Sequence, residues 1–280
     1  MKQKRILAVN DLSDIGRCSL TVALPIISAC GIETSVLPTA ILSTHTGGFE
    51  GYTYRDLSQD IIPVTNHWRS LNICFDAVYS GFLGSFDQLE MMYTLFNNYK
   101  AQGATVVIDP VLGDNGSLYP VFTADFIHGM QKLCSIADII TPNMTEASLL
   151  TGLPYDPDRQ GQDLSILLKE LSKYTLRYVV LTGVKNKNDI GVAIYDKELD
   201  SIDIISNIQV DGIFHGTGDV FASALTGAYV RTKSIHTAAK IAVEFTLNSI
   251  LLTKNNGTEY RYGVDFEESL PILMKGLDII

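Results

Sequence analysis

The sequence predicts an α/β fold in which helices cover a mostly parallel central sheet and an antiparallel hairpin lies at its edge. Three observations carry this expectation. Short apolar runs alternate with helix-like segments through much of the chain, as repeated strand–helix units require. Two strand-like runs, 191–195 and 201–206, are separated only by Asp196 to Asp200, a spacing that suits a hairpin and not a crossover. No internal repeat or low-complexity linker interrupts the pattern, so residues 1–280 are expected to form a single domain.

Residues 5–9 read as a buried first strand, followed by a loop and a helix over 20–30 that closes at Gly31. Residues 33–38 form the next strand. Residues 77–80 lead through Gly81-Phe82-Leu83-Gly84 into a helix over about 85–102, where Gly103 can take the left-handed cap. Residues 105–108 are a buried strand stopped by Asp109-Pro110, and a loop with Gly113, Asn115 and Gly116 follows. A helix over 125–135, a strand over 138–141 and a short helix over 145–151 ended by Gly152 continue the alternation. The helix near 163–174 feeds the strand at 178–181. After the hairpin come a helix over 218–230 and another over 234–252.

Composition narrows the partners. The 280 residues are 46% hydrophobic and 19% charged, enough for a generous core. A formal net charge of -10 without any Lys/Arg block argues against nucleic acid and anionic membranes, both of which need concentrated positive charge. No run approaches the roughly 20 apolar residues of a membrane span; 241–252 is broken by Glu244, Thr246, Asn248 and Ser249. The basic start, Met1-Lys2-Gln3-Lys4-Arg5, leads into an apolar run that stops at Asn10-Asp11 and reads as a core strand, not a secretion signal. Cys18, Cys30, Cys74 and Cys134 are scattered without metal-site spacing and are expected to be small buried hydrophobes in a reducing cytoplasm. A soluble protein acting on a small molecule is the resulting expectation.

The chemistry is expected at Phe214-His215-Gly216-Thr217-Gly218-Asp219, a glycine turn opening an apolar helix of small residues. Two glycines let a backbone approach an anion, and the free amides of a first helical turn favour phosphate. Asp219 then stands where a base could meet an incoming hydroxyl. A plain helix start, with Asp219 only complementing the dipole, fits those four residues equally well. No GxxxxGK[ST] loop is present, and Phe221 replaces the third glycine of a dinucleotide fingerprint. Asp109-Pro110-Val111-Leu112-Gly113-Asp114 places two carboxylates after a buried strand, where ligands of open α/β sheets collect. Thr141-Pro142-Asn143-Met144-Thr145-Glu146 could hold a hydrated magnesium ion, or serve as turn and cap.

Together these three segments resemble the ribokinase-like superfamily in its vitamin kinase branch. The start, Asn10-Asp11-Leu12-Ser13-Asp14-Ile15-Gly16-Arg17-Cys18-Ser19, with Ser43-Thr44-His45-Thr46-Gly47, resembles the pyridoxal/pyridoxamine kinases, and the likeness runs from about residue 4 to about 255. The resemblance implies a three-layer α/β/α fold and ATP-dependent phosphorylation of the 5′-hydroxymethyl group of a vitamin B6 vitamer. Asp219 would be the base, with Gly216, Thr217 and Gly218 around the transferring phosphoryl group. Asp109, Asp114, Asn143, Thr182 and Gly216 match positions that serve ATP, and Asp109 and Glu146 match those near Mg²⁺. Asn10, Thr46 and Phe82, with Ala40 and Leu42 as apolar wall, match the positions around the vitamin ring.

Here the sequence departs from the family: Asn10 stands where serine is common and Phe82 where tyrosine is common. Many relatives use a monovalent cation such as K⁺ and form homodimers. His45 and His215 are expected to be loop hydrogen-bonders, because phosphoryl transfer of this kind needs no histidine. Cys18 is expected in the core, while Ser13 and Arg17 can be read either way. A hydroxymethylpyrimidine (phosphate) kinase and a noncatalytic B6- or nucleotide-binding regulator remain as alternatives, although the Gly-Ser-Asp-Ser-type start of the former is absent.

Overall fold

The computed structural model describes residues 3–186 and 189–280, so Met1 and Lys2 of the basic start lie outside the described residues. The chain begins with β1 (Arg5–Ser13), α1 (Ser19–Ala29), β2 (Glu33–Leu42), β3 (Tyr54–Asp56), α2 (Ser58–Ser70) and β4 (Ala77–Ser80). It continues with α3 (Phe86–Lys100), β5 (Thr105–Ile108), the short strands β6 (Gly113–Asp114) and β7 (Ser117–Leu118), α4 (Ala124–Cys134) and β8 (Ile139–Ile140). Then come α5 (Met144–Thr151), α6 (Gly161–Leu171), β9 (Tyr178–Asn186), β10 (Asp189–Asp196) and β11 (Ser201–Ile208). The last helices are α7 (Thr217–Thr232), α8 (Ile235–Asn256) and α9 (Leu270–Gly276).

Two compact units result, Met1–Gly81 with Val210–Ile280, and Phe82–Gln209. In the first, β1 lies between β2 and β4 and is parallel to both, with Ile6 opposite Thr34 and Ala77, while β3 adds antiparallel to the end of β2. Residues Ile6 to Asp11 are all buried, which is why this strand reads as an unbroken apolar run before its polar end. Helices α1, α7 and α8 pack together within this unit. In the second unit β5, β8 and β9 run parallel, and β10 and β11 follow antiparallel, forming the expected edge hairpin.

Local chemistry explains the helix boundaries. The Ser85 hydroxyl accepts the Gln88 amide and starts α3 with Asp87 in its first turn. Asn143 and Glu146 form a reciprocal capping box at the start of α5, and Gly152 closes it in the left-handed conformation at φ +72°.

Element bounds differ from the sequence expectation in several places, three of them instructive. Strand β1 runs on to Ser13, with an irregularity between Asn10 and Leu12 that absorbs the polar pair Asn10-Asp11. Strand β2 passes through Pro38 because β3 pairs only with Ala40 to Leu42, leaving β2 a free side at the proline. Helix α2 carries Pro63 in its interior, a residue that ordinarily breaks helices, and was not expected from the pattern. One cysteine also departs from expectation. Cys18, Cys30 and Cys134 are buried, whereas Cys74, in the connection from α2 to β4, is exposed.

Candidate active site

The first unit assembles Asp219 and its neighbours. Helix α7 starts at Gly216, whose φ of +74° suits glycine, and a side chain there would overlap the carbonyl oxygen of Arg17. Gly218 is different: an added Cβ would meet nothing within 4 Å beyond its chain neighbours and its own helix turn. Its missing side chain therefore leaves open space beside the first-turn amides, as an anion cradle requires.

Asp219 is the third residue of α7, and two donors hold its carboxylate. The backbone N–H of Ser19 donates to Oδ2 at 3.0 Å, and the Asn10 side-chain amide approaches Oδ1 at 3.5 Å, the long limit of a hydrogen bond. Burial, assisted by the negative charge of Asp11, pushes the Asp219 carboxyl up to about 6, and the Ser19 and Asn10 contacts only partly oppose this. A carboxylate so placed is ionised at neutral pH yet basic enough to take a proton from a hydroxyl.

Behind it lies a buried network that the sequence did not reveal. Asp11 accepts the Ser19 hydroxyl at 2.6 Å and the Ser13 hydroxyl at 2.9 Å, and its own amide donates to the Asn10 side-chain oxygen at 3.0 Å. Asn10 and Ser13 are wholly buried, and Cys18 is in the core as expected.

Ala40 and Leu42 are buried at the end of β2, and Thr46 is exposed in the loop beyond it. His45 is buried. The Gly47 amide donates to its Nδ1, so Nε2 carries the hydrogen and donates to the Arg261 carbonyl at 2.6 Å. Burial lowers its pKa, which keeps the ring neutral. It is a loop hydrogen-bonder, as read from the sequence, with the His215 ring centroid 5.8 Å away. Arg17 pairs with Asp265 and Glu267 and is structural.

The second unit assembles the other predicted residues. Asp109 is buried at the end of β5 and accepts the Thr141 hydroxyl at 2.9 Å. Glu146 is buried on α5, accepting the Asn143 amide at 2.8 Å and the Leu112 amide at 3.3 Å. Burial first, and then the charge of Asp109, pushes the Glu146 carboxyl well up. A buried glutamate resisting ionisation beside a second buried carboxylate suits a hard cation, which would relieve the repulsion between them.

Asn143 spans the site, with Oδ1 accepting the Glu146 amide and Nδ2 donating to the Gly113 carbonyl at 3.0 Å. Asp114 is exposed at the β6–β7 turn, and the Thr182 amide donates to the Pro142 carbonyl at 2.8 Å. Phe82 is half-buried with its ring centroid 5.7 Å from that of Phe122. Among the described residues no group of three or more His, Cys, Asp or Glu side chains forms a metal cage, so a metal there needs phosphate or water to complete its shell.

An open α/β fold, a buried carboxylate in the first turn of a glycine-opened helix and a buried acidic pair beside a capped loop suit a small-molecule kinase. The comparisons agree. The chain matches the phosphomethylpyrimidine kinase family over residues 24–263 and belongs to it. Among solved structures it is similar to a protein from Bacteroides thetaiotaomicron described provisionally as a phosphomethylpyrimidine kinase. That match has 35% identity, 96% of this chain and 93% of that chain covered, and a TM-score of 0.92. The pyridoxal kinase of Lactobacillus plantarum matches at 31% identity, with 97% of each chain covered and a TM-score of 0.89. The pyridoxal kinase of Arabidopsis thaliana is 25% identical over 88% of this chain and 81% of its own length. The expected ribokinase-like α/β fold is thus the fold of this chain.

Proposed function

We propose that this chain transfers the γ-phosphoryl group of ATP to the 5′-hydroxymethyl group of pyridoxal, pyridoxamine or pyridoxine. The observation that carries the reading is Asp219, a buried carboxylate raised to about 6 next to the open space above Gly218. It is a vitamin B6 kinase, a phosphotransferase with an alcohol acceptor. The Bacteroides thetaiotaomicron protein, 35% identical over 97% of this chain, was crystallised with pyridoxal, which favours a B6 vitamer over the pyrimidine of the family's description.

In the proposed mechanism Asp219 accepts the hydroxyl proton while the amides of Gly216, Thr217 and Gly218 face the charge on the transferring group. Asn10 and Thr46 supply hydrogen bonds to the vitamin ring, Ala40 and Leu42 its apolar wall, and Phe82 a stacking face. Asp109, Asp114, Asn143, Thr182 and Gly216 serve ATP. Asp109 and Glu146 would hold Mg²⁺, which when bound supplies charge neutralisation on the phosphates. The chain is proposed to work as one kinase domain, in the cytoplasm, as a homodimer, with K⁺ as a further cation. No described helix is long and apolar enough to cross a membrane.

The test is ATP-dependent ADP release with pyridoxal, pyridoxamine, pyridoxine and hydroxymethylpyrimidine as separate acceptors. Turnover with at least one B6 vitamer, well above that with the pyrimidine, is expected. A preference for hydroxymethylpyrimidine establishes the second reading, and tight binding without turnover of any acceptor establishes a regulator.

A further inference from the structure

Ser19 is the first residue of α1, yet its φ is +54°, in the left-handed region that glycine adopts freely and serine does not. That conformation aims the Ser19 N–H at Asp219, and the Ser19 hydroxyl is anchored on Asp11 at 2.6 Å. Asp11 is 4% exposed, and its other oxygen is fixed by Ser13. Through its own amide Asp11 also turns the Asn10 side chain, so that the oxygen faces inward and Nδ2 is left toward Asp219. Both donors to the base therefore trace back to one residue, Ser19 through the buried carboxylate of Asp11 and Asn10 through the Asp11 backbone amide.

We propose that Asp11 is a positioning residue for phosphoryl transfer, holding Ser19 in its left-handed conformation and orienting Asn10 so that the two donors fix Asp219. Asp11 touches neither substrate nor the reacting atoms. The inference rests on the reading of Asp219 as the base. It explains why a serine, and not a glycine, occupies a left-handed position: glycine would relieve the backbone but could not be anchored. Burial raises the Asp11 carboxyl above its usual range, the two hydroxyls it accepts partly oppose this, and in its charged form it favours the protonated form of Asp219. The other groups facing Asp219 are neutral: Asn10, Ser19 and the Cys18 thiol, whose pKa burial pushes up.

The experiment measures kcat and kcat/KM from about pH 5 to 9, with ATP binding and thermal unfolding, for the full chain and for Asp11→Asn, Ser19→Ala, Ser19→Gly and Asp219→Asn. Ser19→Ala and Ser19→Gly lose the anchor, and kcat is expected to fall about tenfold, the equivalent of one hydrogen bond. Ser19→Gly should do so without any loss of Tm, because its backbone strain is relieved. As the amide contact loosens, the acid limb of both should move to higher pH. Asp11→Asn keeps an acceptor for Ser19 but loses the charge, so its acid limb should move to lower pH. Wild-type kcat and an unmoved limb in all three, with Asp219→Asn inactive, would overturn the positioning role and leave the base reading intact. Lower kcat with an unmoved limb and a matching loss of Tm would mark a merely structural network and equally overturn it. Near-normal turnover of Asp219→Asn would instead remove the base reading, and the relay with it.

Discussion

Gly216 and Gly218 stand two residues apart, and the structure assigns them different reasons for being glycine. An alanine at 216 would have to hold a φ of +74°, costing about 1–2 kcal/mol. Its Cβ would also overlap the Arg17 carbonyl, and overpacking of that kind costs about 1–3 kcal/mol. Gly216→Ala should therefore lose about 2–5 kcal/mol, or about 4–10 °C in Tm for a chain of this size. At Gly218 nothing beyond its chain neighbours and its own helix turn lies within 4 Å of the new methyl, and an alanine inside a helix is worth up to about 1 kcal/mol relative to glycine. Gly218→Ala should keep or slightly raise Tm. Its methyl, however, fills the space beside the first-turn amides, and displacing the transferring group by about 1 Å is expected to lower kcat about 100-fold. Thermal unfolding alongside steady-state ADP release separates the two effects. If Gly218→Ala turns over within twofold of wild type, the open space is not an anion cradle; if it unfolds early like Gly216→Ala, the space is not open.

Two further predictions follow from the same geometry. Asp219→Asn should bind ATP almost normally and lose turnover by about 100-fold or more; wild-type kcat/KM should fall as pH drops through about 6, where the base becomes protonated. Because the folded carboxyl binds its proton up to about 6 against an ordinary 3.8, stability falls as pH rises through that window and stays reduced above it. Asp219→Asn should thus unfold at a higher temperature than wild type at pH above about 6, with the gap closing in acid; a lower Tm across the range would refute the buried-charge account. Glu146→Gln removes the charge but keeps only one acceptor oxygen for the two amides, Asn143 and Leu112, that Glu146 satisfies with separate oxygens, so stability should fall by the cost of losing a cap, about 0.5–2 kcal/mol. The Mg²⁺ concentration for half-maximal turnover should rise several-fold, and an unaltered Mg²⁺ titration would take Glu146 out of the metal site.

How legible the site was depended on whether a residue's role is local. Gly216 to Asp219 and the Asn143/Glu146 box are short-range patterns whose chemistry follows from helix ends; spacing marks each as either a helix start or a ligand site, and only the segments taken together, with the family resemblance, favour the ligand site. Asp11 and Ser19 were quoted only as part of a family-like segment, because their partnership joins the end of β1 to the first residue of α1 through side chains. The left-handed φ of Ser19 has no compositional mark, as a glycine would have. Strand β2 was cut short at Pro38 for a sound local reason that the edge position of that residue overrides. Helix α2 was missed for the same kind of reason, with Pro63 inside it. The alternation of βα units and the β10–β11 hairpin were legible because burial imposes a strong period on each.

The placement of Asp219 also explains a feature of α7 that composition alone makes puzzling. From Val220 to Ala228 every residue is buried, and five of the nine are alanine, serine or glycine, so the helix is smooth enough to lie close against α1. At Gly227 a side chain would run into Cys30 at the end of α1. The contact between Ser19 and Asp219 joins the opposite ends of these two helices, the first turn of each, and its length is set by how closely the helices pack. A carboxylate held at 3.0 Å by a backbone amide tolerates little movement. On the proposed mechanism, the small residues between Ala222 and Ala228 therefore serve catalysis as well as packing, since they set the separation on which the orientation of the carboxylate depends.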